Sequence, residues 1–371
     1  MCLSLTKTRV LCYSNSMKIG IIGLPQVGKK ILFEVLTQQK SNTSDNSRDI
    51  IPGVVRVKDP RFDKLVSMYS PKNEVPATID ISLLPKIEGE TVSSGEVFTK
   101  IADVDALCHI VRSFENESVY HIEGTINPMR DIGAINSELI LNDMIFIEKR
   151  LERINKDLLK KKDIAREKDK EILLKLKVHL ENELPLRTIH LNEEEKKLIL
   201  AYPFISMKPI IIVLNVGEDH IKDTSLLNSV KLKYKDQQIA LMQVSTKIES
   251  EISALPKEEQ KDFLSALGIE EPAVDVLTRL FYKTLGLISF FTVGKDEVRE
   301  WMVRENSTAP EAAGAIHTDM SRGFIRAQII KYKDLVSFGT EAKVKEAGKC
   351  YVKGKDYVVE DGDIIDIRFN V

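Results

Sequence analysis

Few folds can hold a segment such as Gly23-Leu24-Pro25-Gln26-Val27-Gly28-Lys29-Lys30 in the place where this chain carries it. Before it, Lys18-Ile19-Gly20-Ile21-Ile22 is a short β-branched run that reads as a buried strand. After it, Ile31-Leu32-Phe33-Glu34-Val35-Leu36 reads as a helix. Strand, glycine turn and helix together open an α/β unit. The two glycines and Lys29 keep the spacing of G-x-x-x-x-G-K-[ST]. Glycines permit a tight turn whose backbone N–H groups converge on phosphate oxygens, and the lysine reaches between the β- and γ-phosphates.

The rest of the chain extends that unit. Strands are expected over Thr78–Leu83 and over residues 106–111, 209–215 and 241–244. The 209–215 run is almost continuously apolar, as suits a parallel strand covered on both faces. Strands alternating with helical stretches predict a mostly parallel, doubly wound sheet. Residues 137–207 read differently. Ile147, Leu151, Ile154 and Leu158 form one seam at helical spacing, and Leu173, Leu176, Leu180 and Leu184 form another. The two seams predict an antiparallel helical hairpin, a short coiled coil, with the charged stretch from Lys160-Lys161-Lys162 at its turn. Such a charge run is most often a solvated face, and the functional alternative is a tip that touches RNA or a partner. From residue 288 onward, strand-like pieces at 288–293, 324–330, 350–352 and 364–369 surround one helical piece at 309–316. That pattern predicts a small α+β domain.

Composition excludes several functions. Lys and Arg total 54 against 56 Asp and Glu, a net charge of −2, so the chain as a whole is no basic nucleic-acid binder. Any RNA contact has to come from a local patch. Cys2, Cys12, Cys108 and Cys350 are scattered and form no CxxC pair, which fits free thiols in a reducing compartment. No apolar run is long enough to span a membrane. Residues 1–16 lack the apolar region of a signal peptide and read as an extension, with Met17 as the functional start and a cytoplasmic location. The six histidines fall at no metal-ligand spacing, and His317 reads as structural.

The final position of the loop breaks its own pattern. A Ser or Thr hydroxyl there ordinarily ligates Mg²⁺, whereas Lys30 has no lone pair to offer. Mg²⁺ is therefore doubtful, no metal ligand is assigned, and the Lys30 ammonium is placed to supply part of the missing charge.

Taken together, these segments resemble the YchF/Obg-like ATPase family, a branch of the translation-factor class of P-loop GTPases. The loop from Gly23 to Lys29 is similar to that family's G-L-P-N-V-G-K. Gly53-Val54-Val55 with Asp59-Pro60-Arg61 resembles its segment after switch I, Asn215-Val216-Gly217-Glu218 its N-x-x-E base motif, and Ser245-Thr246-Lys247-Ile248-Glu249 its S-A-K-x-E loop. Ala309-Pro310-Glu311-Ala312-Ala313-Gly314, Gly323-Phe324-Ile325-Arg326 and Gly354-Lys355-Asp356-Tyr357 resemble its TGS domain. The resemblance implies a P-loop NTPase core over residues 17–136 and 208–287, an inserted helical domain over 137–207 and a β-grasp TGS domain over 288–371. It also implies a monomer that binds ATP in preference to GTP and associates with ribosomes or RNA, with no membrane or DNA partner. Nucleotide would be held by residues 23–31 (Gly23 through Lys30, then Ile31) and by Asn215, Val216, Glu218 and Ser245.

Two departures bear on activity. N-K-x-D proteins use the Asp to accept two hydrogen bonds from guanine; Val216 and Glu218 replace that Lys and Asp, which compromises the clamp. The family's switch II reads D-x-A-G-[LV], and this chain reads Asp80-Ile81-Ser82-Leu83-Leu84-Pro85. On this reading Asp80 is retained to hold a metal-bound water, Leu83 takes the glycine's place, and Gly89 and Gly95 remain in the loop that follows. Ser47 is aligned with the switch I threonine. The resemblance implies nucleoside-triphosphate hydrolysis. With Lys30 and Leu83 in place the turnover is expected to be weak, or absent in a degenerate pseudo-enzyme that acts as a ribosome-, RNA- or protein-binding scaffold. No catalytic residue is assigned.

Overall fold

A computed structural model of the chain describes residues 17–41, 49–87 and 95–370. The extension 1–16, Ser47 and Gly89 lie outside them. The chain divides into two compact units, one of Lys18–Asp59 with Asp80–Leu287, the other built mainly of Pro60–Ile79 with Ile288–Val371.

The larger unit is built on a six-stranded sheet of order β2-β4-β1-β5-β6-β7. Its strands are β1 (Lys18–Ile22), β2 (Ile51–Arg56), β4 (Thr78–Leu83), β5 (Ala106–Ser113), β6 (Ile210–Val216) and β7 (Ile239–Val244). The pairs β4–β1, β1–β5, β5–β6 and β6–β7 are parallel. Residues of β5 and β6 are buried almost throughout, the state that a two-sided parallel strand requires. Helix α1 (Lys29–Thr37) follows β1 and buries Leu32, Phe33 and Leu36.

The helical hairpin consists of α3 (Pro128–Leu158) and α4 (Ile164–Glu181). It begins at Pro128, upstream of the expected boundary near 137, because Asn127 caps the helix by accepting the Arg130 N–H at 3.1 Å. Asp163 caps α4 through Ala165 N–H at 3.0 Å. The seam packs Ile147, Leu151 and Ile154 against Leu173, Leu176 and Leu180. Leu184 does not join it, since α4 ends at Glu181 and Glu183 turns at φ 57. Lys160, Lys161 and Lys162 are exposed at the turn.

The smaller unit departs further from the expected pattern. Its sheet has the order β11-β10-β12-β8-β9-β3. These are β3 (Asn73–Val75), β8 (Leu287–Thr292), β9 (Glu297–Arg304), β10 (Phe324–Lys331), β11 (Cys350–Lys353) and β12 (Asp363–Phe369). Strand β9 escaped the sequence reading because Glu297, Arg299 and Glu300 mask its alternation. Strand β3 comes from a distant part of the chain and pairs in parallel with β9, Asn73 to Glu297 and Val75 to Arg299. The same segment supplies helix α2 (Pro60–Tyr69), whose Phe62 and Leu65 are buried with Phe291, Val298, Ile330, Leu335, Val344 and Ile364. The Ala77 N–H donates to the buried Glu300 carboxylate at 3.1 Å, and the Ser289 hydroxyl donates to its other oxygen at 2.7 Å. Arg61 grips Asp361 through two N–H groups at 2.7 and 3.1 Å. Residues 60–77, expected within the nucleotide-binding core, therefore pack with the C-terminal sheet, and β3 among them completes it. Leu65→Ala removes a fully buried side chain from that core and is expected to cost about 2–5 kcal/mol. The chain's single tryptophan, Trp301 in β9, reports the loss as a lower denaturant midpoint in its fluorescence.

Candidate nucleotide site

Parallel strands bring their C-terminal ends, and the loops that follow them, to one edge of the sheet, where α/β folds bind ligands. A cleft of about 1230 Å³ opens there in the larger unit. It is walled by the loop after β1, the residues after β4, the loop after β5, the end of β6 and the start of α5 (Thr246–Ala254).

The loop after β1 is shaped by two glycines. Gly23 has φ +147, and a Cβ on it would sit 2.5 Å from the Ile110 carbonyl oxygen. Gly28 has φ +98, and its Cβ would meet the Asn215 Nδ2 at 2.4 Å. No side chain other than hydrogen is tolerated at either place. Helix α1 starts directly at Lys29, with no side-chain cap and no acidic residue in its first turn. The start of such a helix carries the positive end of its dipole, which favours an anion. Lys29 is buried, and its ammonium donates to the Gly23 carbonyl at 2.5 Å, folded back into the loop it would leave for a phosphate.

Asn215, at the end of β6, is more than a strand terminus. Its Nδ2 donates to the Val27 carbonyl at 2.9 Å and its Oδ1 accepts the Thr246 N–H at 3.1 Å. It fastens the glycine loop to the loop after β7. Glu218 forms an ion pair with Lys247, so the carboxylate expected at the base already has a cationic partner. Ser245 precedes α5 and is buried at the cleft wall. Glu249 lies elsewhere: it accepts the Ala273 and Val274 N–H groups at 2.8 and 3.3 Å and caps the helix Ala273–Thr284. Burial raises its pKa.

Of the residues expected to hold nucleotide, Pro25, Gln26, Gly28, Lys29, Lys30, Ile31, Asn215, Val216, Glu218 and Ser245 line the cleft, while Gly23, Leu24 and Val27 support the loop from behind. Asp80 requires a correction. It pairs with Lys18 at the start of β1, whereas Leu83 pairs with Ile21 near the loop. Three residues of strand put Asp80 about 10 Å short of the cleft edge. It borders a separate hollow with Lys18 and Lys100. What β4 delivers to the nucleotide cleft is Leu83, followed by Leu84, Pro85 and Lys86. Asp80 is therefore not a switch II carboxylate at this cleft.

Sequence reasoning also missed the wall formed by Phe114, Glu115, Asn116 and Val119. Arg112, buried at the end of β5, builds it. Its guanidinium donates to the carbonyls of Phe114, Val119 and Asn116 at 3.1, 3.0 and 3.4 Å and lies 4.7 Å over the Phe114 ring. An arginine closing an apolar strand was the available signal. Behind the loop, His109 is buried in β5 and its pKa is pushed down to about 3, first by burial and then by the Lys29 and Arg187 cations. It is a neutral element of the sheet.

A glycine loop and lysine on a parallel sheet, with an asparagine locking the loop, define a P-loop nucleotide-binding fold. Comparison with known proteins narrows this. The YchF-GTPase_C family model, described as a protein of unknown function (DUF933), matches residues 287–370. The chain is 41% identical over 367 residues to the "Ribosome-binding ATPase YchF" of Bacillus subtilis (strain 168), covering 96% of this chain and 100% of that one. It is 36% identical to "Obg-like ATPase 1" of Caenorhabditis elegans, over 96% of this chain and 93% of the other. The solved structure of the Schizosaccharomyces pombe YchF GTPase superposes with a TM-score of 0.83 at 29% identity, covering 95% of this chain and 98% of that one. The chain belongs to the YchF family.

Two outcomes are expected. Gly28→Ala drives a methyl into Asn215 and strains a left-handed backbone, so nucleotide affinity measured by calorimetry falls at least about tenfold, with the circular dichroism spectrum retained. For His109, the folded pKa of about 3 lies below the ordinary 6.5, so below pH 6.5 the unfolded chain binds a proton that the folded chain refuses. Stability then drops as pH falls toward 3, by up to about 1.4 kcal/mol per pH unit. His109→Leu removes that part of the acid sensitivity, read as a flatter plot of denaturation midpoint against pH.

Proposed function

We propose that this chain binds ATP in preference to GTP at the cleft, hydrolyses it weakly and associates with ribosomes as a cytoplasmic translation-associated protein. The observation that carries the reading is the glycine loop fastened by Asn215, with buried Lys29 inside it. In this reading the loop N–H groups and Lys29 take the phosphates, and Asn215, Val216, Glu218 and Ser245 border the base. Three parts serve it: the core, the inserted helical hairpin and a TGS-type β-grasp unit.

Base preference follows from hydrogen-bond accounting. Guanine selectivity needs a carboxylate set to accept from the ring N–H and the exocyclic amine. Glu218 hangs one methylene further out and is engaged by Lys247. Adenine lacks both the ring N–H and the 2-amino group, so the loss of that clamp costs it nothing while guanine loses its two acceptors. The ribosome is supported by the names of the relatives, several of which are called ribosome-binding ATPases.

Weak turnover follows from the residues at the phosphate end. Phosphoryl transfer depends on charge stabilisation at the transferring group, and both Lys30 and Leu83 remove expected contacts. Those two residues equally favour a second reading, a nucleotide-independent scaffold that binds ribosome, RNA or protein. Titration calorimetry with ATP and GTP, paired with a phosphate-release assay, separates the two. The first reading expects ATP tighter than GTP with slow release, and loss of both on Lys29→Ala. Co-sedimentation with ribosomes tests the partner: a chain that stays in the supernatant with and without nucleotide sinks both readings.

A further inference from the structure

Among the described residues, the phosphate end of the cleft lacks the donor chemistry of the metal that P-loop folds imply. Mg²⁺ takes hard oxygen ligands in near-octahedral array. The residue after Lys29 is Lys30, whose ammonium carries no lone pair. Strand β4 and the residues after it reach the cleft with Leu83, Leu84, Pro85 and Lys86, none of which bears a side-chain oxygen. The strand's carboxylate, Asp80, is held at the other end of the β1–β4 ladder. Asp49, just before β2, and Glu34 of α1 also line the cleft, but the Glu34 carboxylate is engaged by Ser41, and two carboxylates do not supply the oxygen array the ion needs among ammonium groups. Among the described residues no cluster of three or more carboxylate, imidazole or thiol groups is arranged to hold a metal ion. The described residues do not fit the ion.

Positive charge stands in that place instead. Lys29, Lys30 and Lys86 all line the cleft. The Leu84 N–H donates to the Ile21 carbonyl at 3.1 Å, so the residues after it run beside the start of the glycine loop and bring Lys86 to the same end as Lys29 and Lys30. Glu34, one turn along α1 from Lys30, is committed to Ser41, accepting its backbone N–H at 2.9 Å and its hydroxyl at 2.5 Å. Burial opposes the Glu34 charge, but the Ser41 hydrogen bonds and the Lys30 and Lys40 ammonium groups outweigh it and lower its pKa.

We propose that this cleft takes a metal-free nucleoside polyphosphate, with the ammonium groups of Lys29, Lys30 and Lys86 supplying the charge that a divalent cation provides elsewhere. The inference rests on the nucleotide-binding reading. Each ammonium offers three donors and adapts to phosphate oxygens as a point charge. A metal-loaded nucleotide would set a divalent cation against the Lys30 ammonium, and the two repel.

The test is calorimetric titration of the full chain with ATP, once in EDTA and once in excess Mg²⁺. Binding in EDTA is expected to be tighter by about tenfold or more, the effect of a single charge-assisted hydrogen bond. Lys30→Ser weakens ATP binding in EDTA by a similar factor and removes the penalty of added Mg²⁺, whereas Lys30→Arg keeps both properties. Lys86→Ser weakens binding in EDTA with the loop untouched. Tighter binding in Mg²⁺ by the unmodified protein, or no change on Lys30→Ser, overturns the metal-free proposal and leaves the nucleotide reading standing. Absence of binding in both solutions overturns both.

Discussion

The amide of Asn215 is the joint on which the cleft depends. It joins the carbonyl of Val27 to the N–H of Thr246, two groups on loops that follow different strands of the sheet. Val27, Thr246 and the amide are buried, so losing the side chain would strand a backbone carbonyl and an N–H without water to replace it. The joint also dictates sequence nearby. Because the amide sits where a Cβ of residue 28 would be, Gly28 is obligatory. Because Gly28 is obligatory, the residue that precedes α1 has no side chain with which to cap it. The anion-binding end of the helix is thus a consequence of packing at its back.

Much of the larger unit was legible in the sequence, for a physical reason. Strands buried on both faces must be apolar throughout, and β1, β5 and β6 advertise themselves that way. The glycine loop was legible because at Gly23 and Gly28 a positive φ coincides with a neighbouring atom 2.5 and 2.4 Å from where a Cβ would sit. Register was not legible. Asp80 followed by Leu83 fits a loose switch II spacing, but spacing within one strand says nothing about how far that strand has slid past its neighbour. The pairing of Lys18 with Asp80 decides the matter, and it puts the carboxylate at the wrong end. The Arg112 wall was equally hidden, since its partners are backbone carbonyls, which carry no residue identity. In the smaller unit the contribution of Pro60–Ile79 could not be read locally, because Ala77 meets Glu300 across 223 residues of chain.

The two departures in the phosphate end acquire a common meaning once the register is known. Taken singly, Lys30 is a lost hydroxyl and Leu83 a lost small residue. Placed at one cleft with Lys86, they leave its phosphate end with ammonium and apolar groups where a hydroxyl and a small residue were expected. The near-neutral total charge conceals this, since it sums lysines and acids over the whole chain. Relatives that share the fold over nearly the whole chain need not share the ionic requirement of the site.

Strand β3 and helix α2 leave the ribosome's exit tunnel more than two hundred residues before their partners, as the 223-residue span from Ala77 to Glu300 implies. Phe62 and Leu65 must wait in an incomplete protein until β8 through β12 emerge to cover them. The last part of the chain to be synthesised is therefore the part that hides an early apolar face. A nascent chain arrested before residue 288 carries that face exposed, which gives quality control a direct physical mark of an unfinished molecule.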